Sequence, residues 1–145
     1  PAPAATPAKC TAIAKSWEKP PEGMMKLNFD SSFMGSTGDV GVVMILRDAQ
    51  GQIVFSSCRS LQRCWSALEP ELCACLEGMS LALDWSHVDV MVETDSAELA
   101  AMINSSSRDC SQLGHLVEQV KYLMRQGRRF SINKITREQN QQATC

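Results

Sequence analysis

Between residues 24 and 61 hydrophobic and polar side chains follow the alternation of extended chain. In MKLNFD, Met25, Leu27 and Phe29 point one way and Lys26, Asn28 and Asp30 the other, the two-residue period of a strand. A Gly/Ser/Thr turn at residues 35–38 leads into VGVVMILRD, a nearly continuous apolar run suited to a buried strand. Asp48, Ala49, Gln50 and Gly51 read as a hairpin turn, and QIVFSSCRS as a third strand. Three strands joined by short turns predict an antiparallel meander.

The period then changes. Over residues 67–85, Leu72, Leu76, Met79 and Leu83 form the stripe of an amphipathic helix. A neighbouring stripe of Glu71, Ala74, Cys75, Gly78 and Ala82 is made of small side chains around one carboxylate. Small side chains let a helix lie close to a sheet, which would carry Glu71 to the strand ends. VDVMVETD is a short β-rich run ending in Asp95. Residues 96–103 and 111–124 read as helices, the second with Leu113, Leu116, Val120 and Met124 inward and His115 as a partly buried packing residue; residues 130–135 read as a last strand. The order βββαβααβ predicts an α/β fold, a mixed sheet with helices packed on it, with strands four and five parallel to strand one. Residues 1–20, rich in Pro and Ala, are expected to be a linker and residues 21–145 the domain, with order beginning near Trp17 or Gly23.

Composition refines this picture. The chain of 145 residues has room for one compact domain. It is 44% hydrophobic but only 6% aromatic, so the core must be built from Leu, Val, Met, Ala and Cys. The formal net charge of −2 argues neither for nor against nucleic acid. Its distribution says more: residues 121–137 contain Lys121, Arg125, Arg128, Arg129, Lys134 and Arg137 and no acid. That segment is either a solvated helix face with a strand rim or a phosphate-contacting ridge. The seven cysteines are odd in number and form no CxxC pair, and His87 and His115 are the only histidines, a poor basis for a disulfide framework or a zinc site. Reduced thiols predict a cytoplasmic or nuclear location. No apolar run approaches the ~20 residues of a membrane span. The first residues lack the apolar core of a signal peptide, and the chain opens on Pro, as an excerpt of a longer protein would.

Ligands gather at the carboxyl ends of parallel strands. Asp30 is expected to close the first strand and Asp95 the fourth, and Glu71 can reach the same rim from its helix. Taken singly, each acid reads as a surface residue; this element order is what groups them. Three clustered carboxylates repel, and a hard cation such as Mg²⁺ relieves the repulsion. Two such ions ~4 Å apart can activate water and stabilise a leaving oxygen in phosphodiester hydrolysis. The chain has no GxSxG elbow, no GxxxxGK[ST] loop and no HExxH. Gly35 and Gly38 are a plain hairpin signal.

From Trp17 to Asn140 the chain resembles the ribonuclease H-like domains of plant genomes, often found beside or derived from retroelement reverse transcriptases. WEKPPEGMMKLNFDSSF resembles the family's lead-in and first strand, GVVMILRDAQGQIV its second and third strands, EPELCACLEGMSLALDW its first helix, VETDS its fourth strand and ITREQNQQA its closing motif. The resemblance implies a five-stranded sheet of order 3-2-1-4-5, catalysis with Mg²⁺ or Mn²⁺, and cleavage of the RNA strand of RNA–DNA hybrids. It makes Asp30, Glu71 and Asp95 the first three acidic ligands and Asn140 the Asn of the closing motif, counted here with the six basic residues as a nucleic-acid contact. Two positions depart from the family: Ser31 replaces the Gly that usually follows the first Asp, and Thr144 stands at the fourth acidic position. The closing helix that normally carries that position is expected to be truncated. Two functions follow. One is a metal-dependent RNA–DNA hybrid ribonuclease weakened by loss of the fourth ligand. The other is a catalytically degenerate interaction module within a larger plant protein, bound to protein or nucleic acid.

Overall fold

The alternating and helical segments form nine elements in a computed structural model that describes residues 16–34, 38–62, 64, 66–126 and 130–144. Strands β1 (Met24–Met34), β2 (Asp39–Arg47) and β3 (Ile53–Leu61) make the meander. Helix α1 (Leu68–Trp85), strand β4 (Asp89–Thr94), helices α2 (Ala97–Asn104) and α3 (Gly114–Met124), strand β5 (Phe130–Lys134) and helix α4 (Arg137–Thr144) follow. The sheet order is β3-β2-β1-β4-β5. β1 pairs antiparallel with β2 and parallel with β4, and β4 pairs parallel with β5, the parallel strands being reached through helical connections. Among the described residues no helix is long and apolar enough to cross a membrane.

The two faces of the sheet differ in chemistry. On one, α1 to α3 enclose an apolar core of Leu27, Phe29, Met44, Leu46, Leu72, Met79, Val90, Val92, Val117 and Val120. The small-residue stripe does what its composition suggests: a Cβ added at Gly78 would stand 2.8 Å from Leu27 Cδ2, so α1 lies directly on β1. Cys75, wholly buried, behaves as a small hydrophobe, and burial pushes its thiol up to about 12. Cys58, Cys64, Cys73 and Cys110 are also free thiols.

On the other face, the polar positions of β1 are buried as well. Lys26 and Asn28 keep 4% and 0% of their surface, covered by α4 and Trp17 rather than by water. Of the closing helix, two full turns form as α4. Their start is fixed by a reciprocal cap: Gln139 N–H donates to Thr136 Oγ1 and Thr136 N–H to Gln139 Oε1. The T-R-E-Q run was the signal for it. Helix α3 begins three residues later than its hydrophobic period suggests. Asp109 Oδ1 accepts from Ser111 N–H and holds the preceding loop as a turn, and Gly114 is pressed against the Asp109 carbonyl. His115 is exposed on α3, not partly buried.

Candidate metal centre

The β1–β4 pairing ends at Asn28 and Glu93, while β1 runs on to Met34 along β2. Beyond that point a gap opens between the two strands. Asp30 flanks it on β1, Asp95 stands one residue past the end of β4, and Glu71 projects from the first turn of α1. The tight seat of α1 on Leu27 holds this turn low over the strand ends. Ligand oxygens of Asp30, Glu71 and Asp95 all lie within 4.8 Å of one another. They line a cleft of about 410 Å³ with Ser31, Ser32, Val40, Ala67 and Arg137. A larger groove of about 880 Å³ lies across Ala67, between α1, α2 and the start of α3. Its walls mix Leu68, Met102 and Leu113 with Glu69 and Glu98 and bring no third carboxylate to bear. The three clustered carboxylates line the smaller cleft.

Electrostatically this cluster is only partly relieved by its neighbours. Burial, then the charges of Asp95 and Asp30, push the Glu71 carboxyl up to about 7, against the pull of a Ser31 hydrogen bond and the Arg137 charge. Burial raises Asp30 as well; the Ser31 N–H opposes it, Asp95 adds to it, and Arg137 lowers it. None of the three carboxylates makes an ion pair with a described residue. Three hard oxygen donors, mutually repelling and half-sheltered from water, fit a divalent cation such as Mg²⁺ or Mn²⁺.

Ser31, a departure from the family at the sequence level, is part of this site. Its N–H donates to Asp30 Oδ1 at 2.8 Å and its hydroxyl to Glu71 Oε1 at 3.3 Å, so one residue ties two of the acids together. Thr144 is not among the residues that line the cleft. Its hydroxyl donates back to the Asn140 carbonyl, and the preceding carbonyl, of Ala143, accepts from Arg47, whose register partner Lys26 lies four residues before Asp30. The open flank of the cluster is taken by Arg137 instead.

Among the described basic positions, Lys121 stands apart from the exposed Arg125, Lys134 and Arg137. Lys121 is buried: its aliphatic stem joins the inward stripe of α3, and its ammonium donates to Ser107 O at 2.8 Å beside Glu118. That corrects its assignment as a phosphate contact. Asn140 is corrected for the same reason. It is fully buried, donates to the Phe29 carbonyl at 2.9 Å and accepts from Asn28, so its amide is spent inside the fold. Arg125, Lys134 and Arg137 are exposed, and Arg128 and Arg129 lie outside the described residues.

Residues 28–145 match the family model described as reverse transcriptase-like. The chain belongs to the reverse transcriptase-like family. Family membership spans the acids of the cleft, α4 and everything between. Solved structures agree on the architecture. RNase H1 from the halophilic archaeon Halobacterium salinarum is 20% identical with a TM-score of 0.72, over 83% of this chain and 91% of that one. The N-terminal RNase H domain of a Mycobacterium tuberculosis protein is 18% identical with a TM-score of 0.73, over 83% and 87%. LC11-RNase H1, isolated from compost and solved in complex with an RNA/DNA hybrid, is 15% identical with a TM-score of 0.67, over 80% and 88%. At these identities the likeness shows the fold, which is that of ribonuclease H. No curated protein matches the chain.

Proposed function

We propose that this domain is a divalent-metal-dependent ribonuclease that cuts the RNA strand of RNA–DNA hybrids. The observation that carries the reading is the meeting of Asp30, Glu71 and Asp95, with ligand oxygens within 4.8 Å, at the end of the β1–β4 pairing. Those three carboxylates are the residues to hold Mg²⁺ or Mn²⁺. Bound there, the metal supplies activation of water and neutralisation of charge on the leaving oxygen. Ser31 orients Asp30 and Glu71 through its two hydrogen bonds. Arg137, exposed at the rim of the cleft, is the side chain to grip a backbone phosphate near the scissile bond. The hybrid held by a structural relative of the same fold supports this choice of substrate.

The decisive assay incubates the full chain with labelled RNA–DNA hybrid and Mg²⁺ or Mn²⁺, beside Asp30→Asn. Wild type should cleave the RNA strand, and Asp30→Asn should be slower by at least about 100-fold, on the order of 2.7 kcal/mol of barrier. A folded wild type that leaves the hybrid intact would overturn the enzyme reading. Two observations then favour the interaction module: the flank of the acid cluster carries Arg137, and the neutral Thr144 is not among the residues lining the cleft. Such a protein should still bind hybrid, with an affinity that falls as salt rises.

A further inference from the structure

The segment ahead of β1 reads as a spacer, yet its last residues are bonded into the domain at both ends. Trp17 N–H donates to Gln142 Oε1 at 3.1 Å, and Gln139 Nε2 donates to the Ser16 carbonyl at 3.3 Å, so two side chains of α4 meet the backbone of this segment. The Trp17 indole Nε1 donates to Asn28 Oδ1 at 3.0 Å. Its ring lies under two cations, with Arg47 Cζ at 4.9 Å and Lys26 Nζ at 5.3 Å from the centroid. Both cations are themselves committed. Arg47 donates to the Ala143 carbonyl of α4 at 2.6 Å, and Lys26 pairs with Glu93 at 3.3 Å and donates to the Glu18 carbonyl. Asn28 passes the connection on, donating to Glu93 and to Asn140, and Asn140 reaches the Phe29 carbonyl beside Asp30. Lys19 then lies against Gly51 in the β2–β3 turn.

We propose that Trp17 is a positioning residue: it clamps α4 to β1 and β2 and thereby fixes Arg137 at the rim of the acidic cleft. A two-turn helix has little stability of its own. The underside of α4 offers mainly Asn140 and Ala143 to the sheet, so its seat depends on the polar connections that Trp17 completes. Cutting the chain at residue 20, where composition puts the domain boundary, would remove the clamp and free the helix that carries Arg137. The proposal rests on the phosphate role given above to Arg137, and the test separates the two.

The experiment uses the full chain and four variants: Trp17→Ala, Trp17→Phe, Arg137→Ala and the double variant Trp17→Ala/Arg137→Ala. Amide hydrogen exchange reads the seat of α4 directly, with β4 as the internal reference. In Trp17→Ala the α4 amides should exchange at least about tenfold faster while β4 stays protected. Trp17→Phe keeps the ring under the two cations and loses the indole donor, so its exchange should fall between. Binding of a labelled RNA–DNA hybrid in EDTA then reads the consequence. Each single Ala variant should weaken it by roughly five- to tenfold, and the double variant should be no weaker than Arg137→Ala within about twofold, because residues acting as one unit do not add. Unchanged α4 exchange in Trp17→Ala would overturn the clamp, and so would losses that multiply in the double variant. Arg137→Ala binding hybrid as wild type does would instead remove the phosphate role of Arg137, and exchange alone would decide the clamp.

Discussion

Burial and the charges of Asp95 and Asp30 push the Glu71 carboxyl from an ordinary 4.5 to about 7, so near neutral pH the metal-free protein holds a proton there that the unfolded chain releases. The native state therefore binds more protons than the unfolded one between those values, and stability is lost as pH rises through that window. In EDTA at pH 8, Glu71→Gln should be more stable than wild type by about 1–2 kcal/mol, allowing for solvent screening of a partly exposed group. Below about pH 4.5 the two should coincide. Thermal unfolding in EDTA across that range checks it; a wild type more stable than Glu71→Gln at pH 8 would mean that the carboxylates do not strain one another. The three acids were legible because each occupies a telling place in a periodic element. The Ser31–Glu71 bond and the burial of Lys121 and Asn140 were not: each depends on how separate elements pack, with Ser31 reaching Glu71 on α1 and Asn140 reaching Phe29 and Asn28 on β1, which no local pattern encodes.

Helix α1 shows how an element can convert packing into placement. Ala at an exposed helical glycine stabilises by about 1 kcal/mol. At Gly78 a Cβ would stand under 3 Å from both Leu27 methyl carbons, and Leu27 is itself wholly buried, so it would have to shift among packed neighbours. Gly78→Ala should therefore destabilise by about 1–2 kcal/mol net, the overpacking outweighing the propensity gain. Denaturant unfolding reads this, and a stabilised Gly78→Ala would mean that α1 stands off from β1. Helix α4 works by the opposite means, through hydrogen bonds. Asn140→Leu removes the donor to the Phe29 carbonyl and the acceptor for Asn28, and should cost about 2–3 kcal/mol because buried polar groups are left unpaired. A loss under about 0.5 kcal/mol would show that water replaces the amide. The periodicity of α1 announced it; α4, with a polar sequence and no apolar stripe, gave only its capping residues as a sign.

Across the molecule, element order made a mixed sheet readable, with the fourth and fifth strands parallel to the first. The order β3-β2-β1-β4-β5, which brings Asp30 and Asp95 to neighbouring strands, came only with the family resemblance. The second face of the sheet was not readable. Lys26, Asn28 and Glu93 look like the solvated side of two strands, yet they are the buried floor beneath α4 and Trp17. Apolar packing builds one face and positions Glu71; a polar network builds the other and positions Arg137. Both converge on the gap where β4 ends. The proposed function turns on the three carboxylates in that gap holding a divalent cation. Calorimetric titration of Mn²⁺ into wild type and Asp30→Asn at pH 7 tests it most directly. Wild type should bind saturably and release part of a proton, since Glu71 must ionise to act as a ligand, and Asp30→Asn should bind at least about tenfold more weakly. Identical isotherms for the two proteins would contradict the claim.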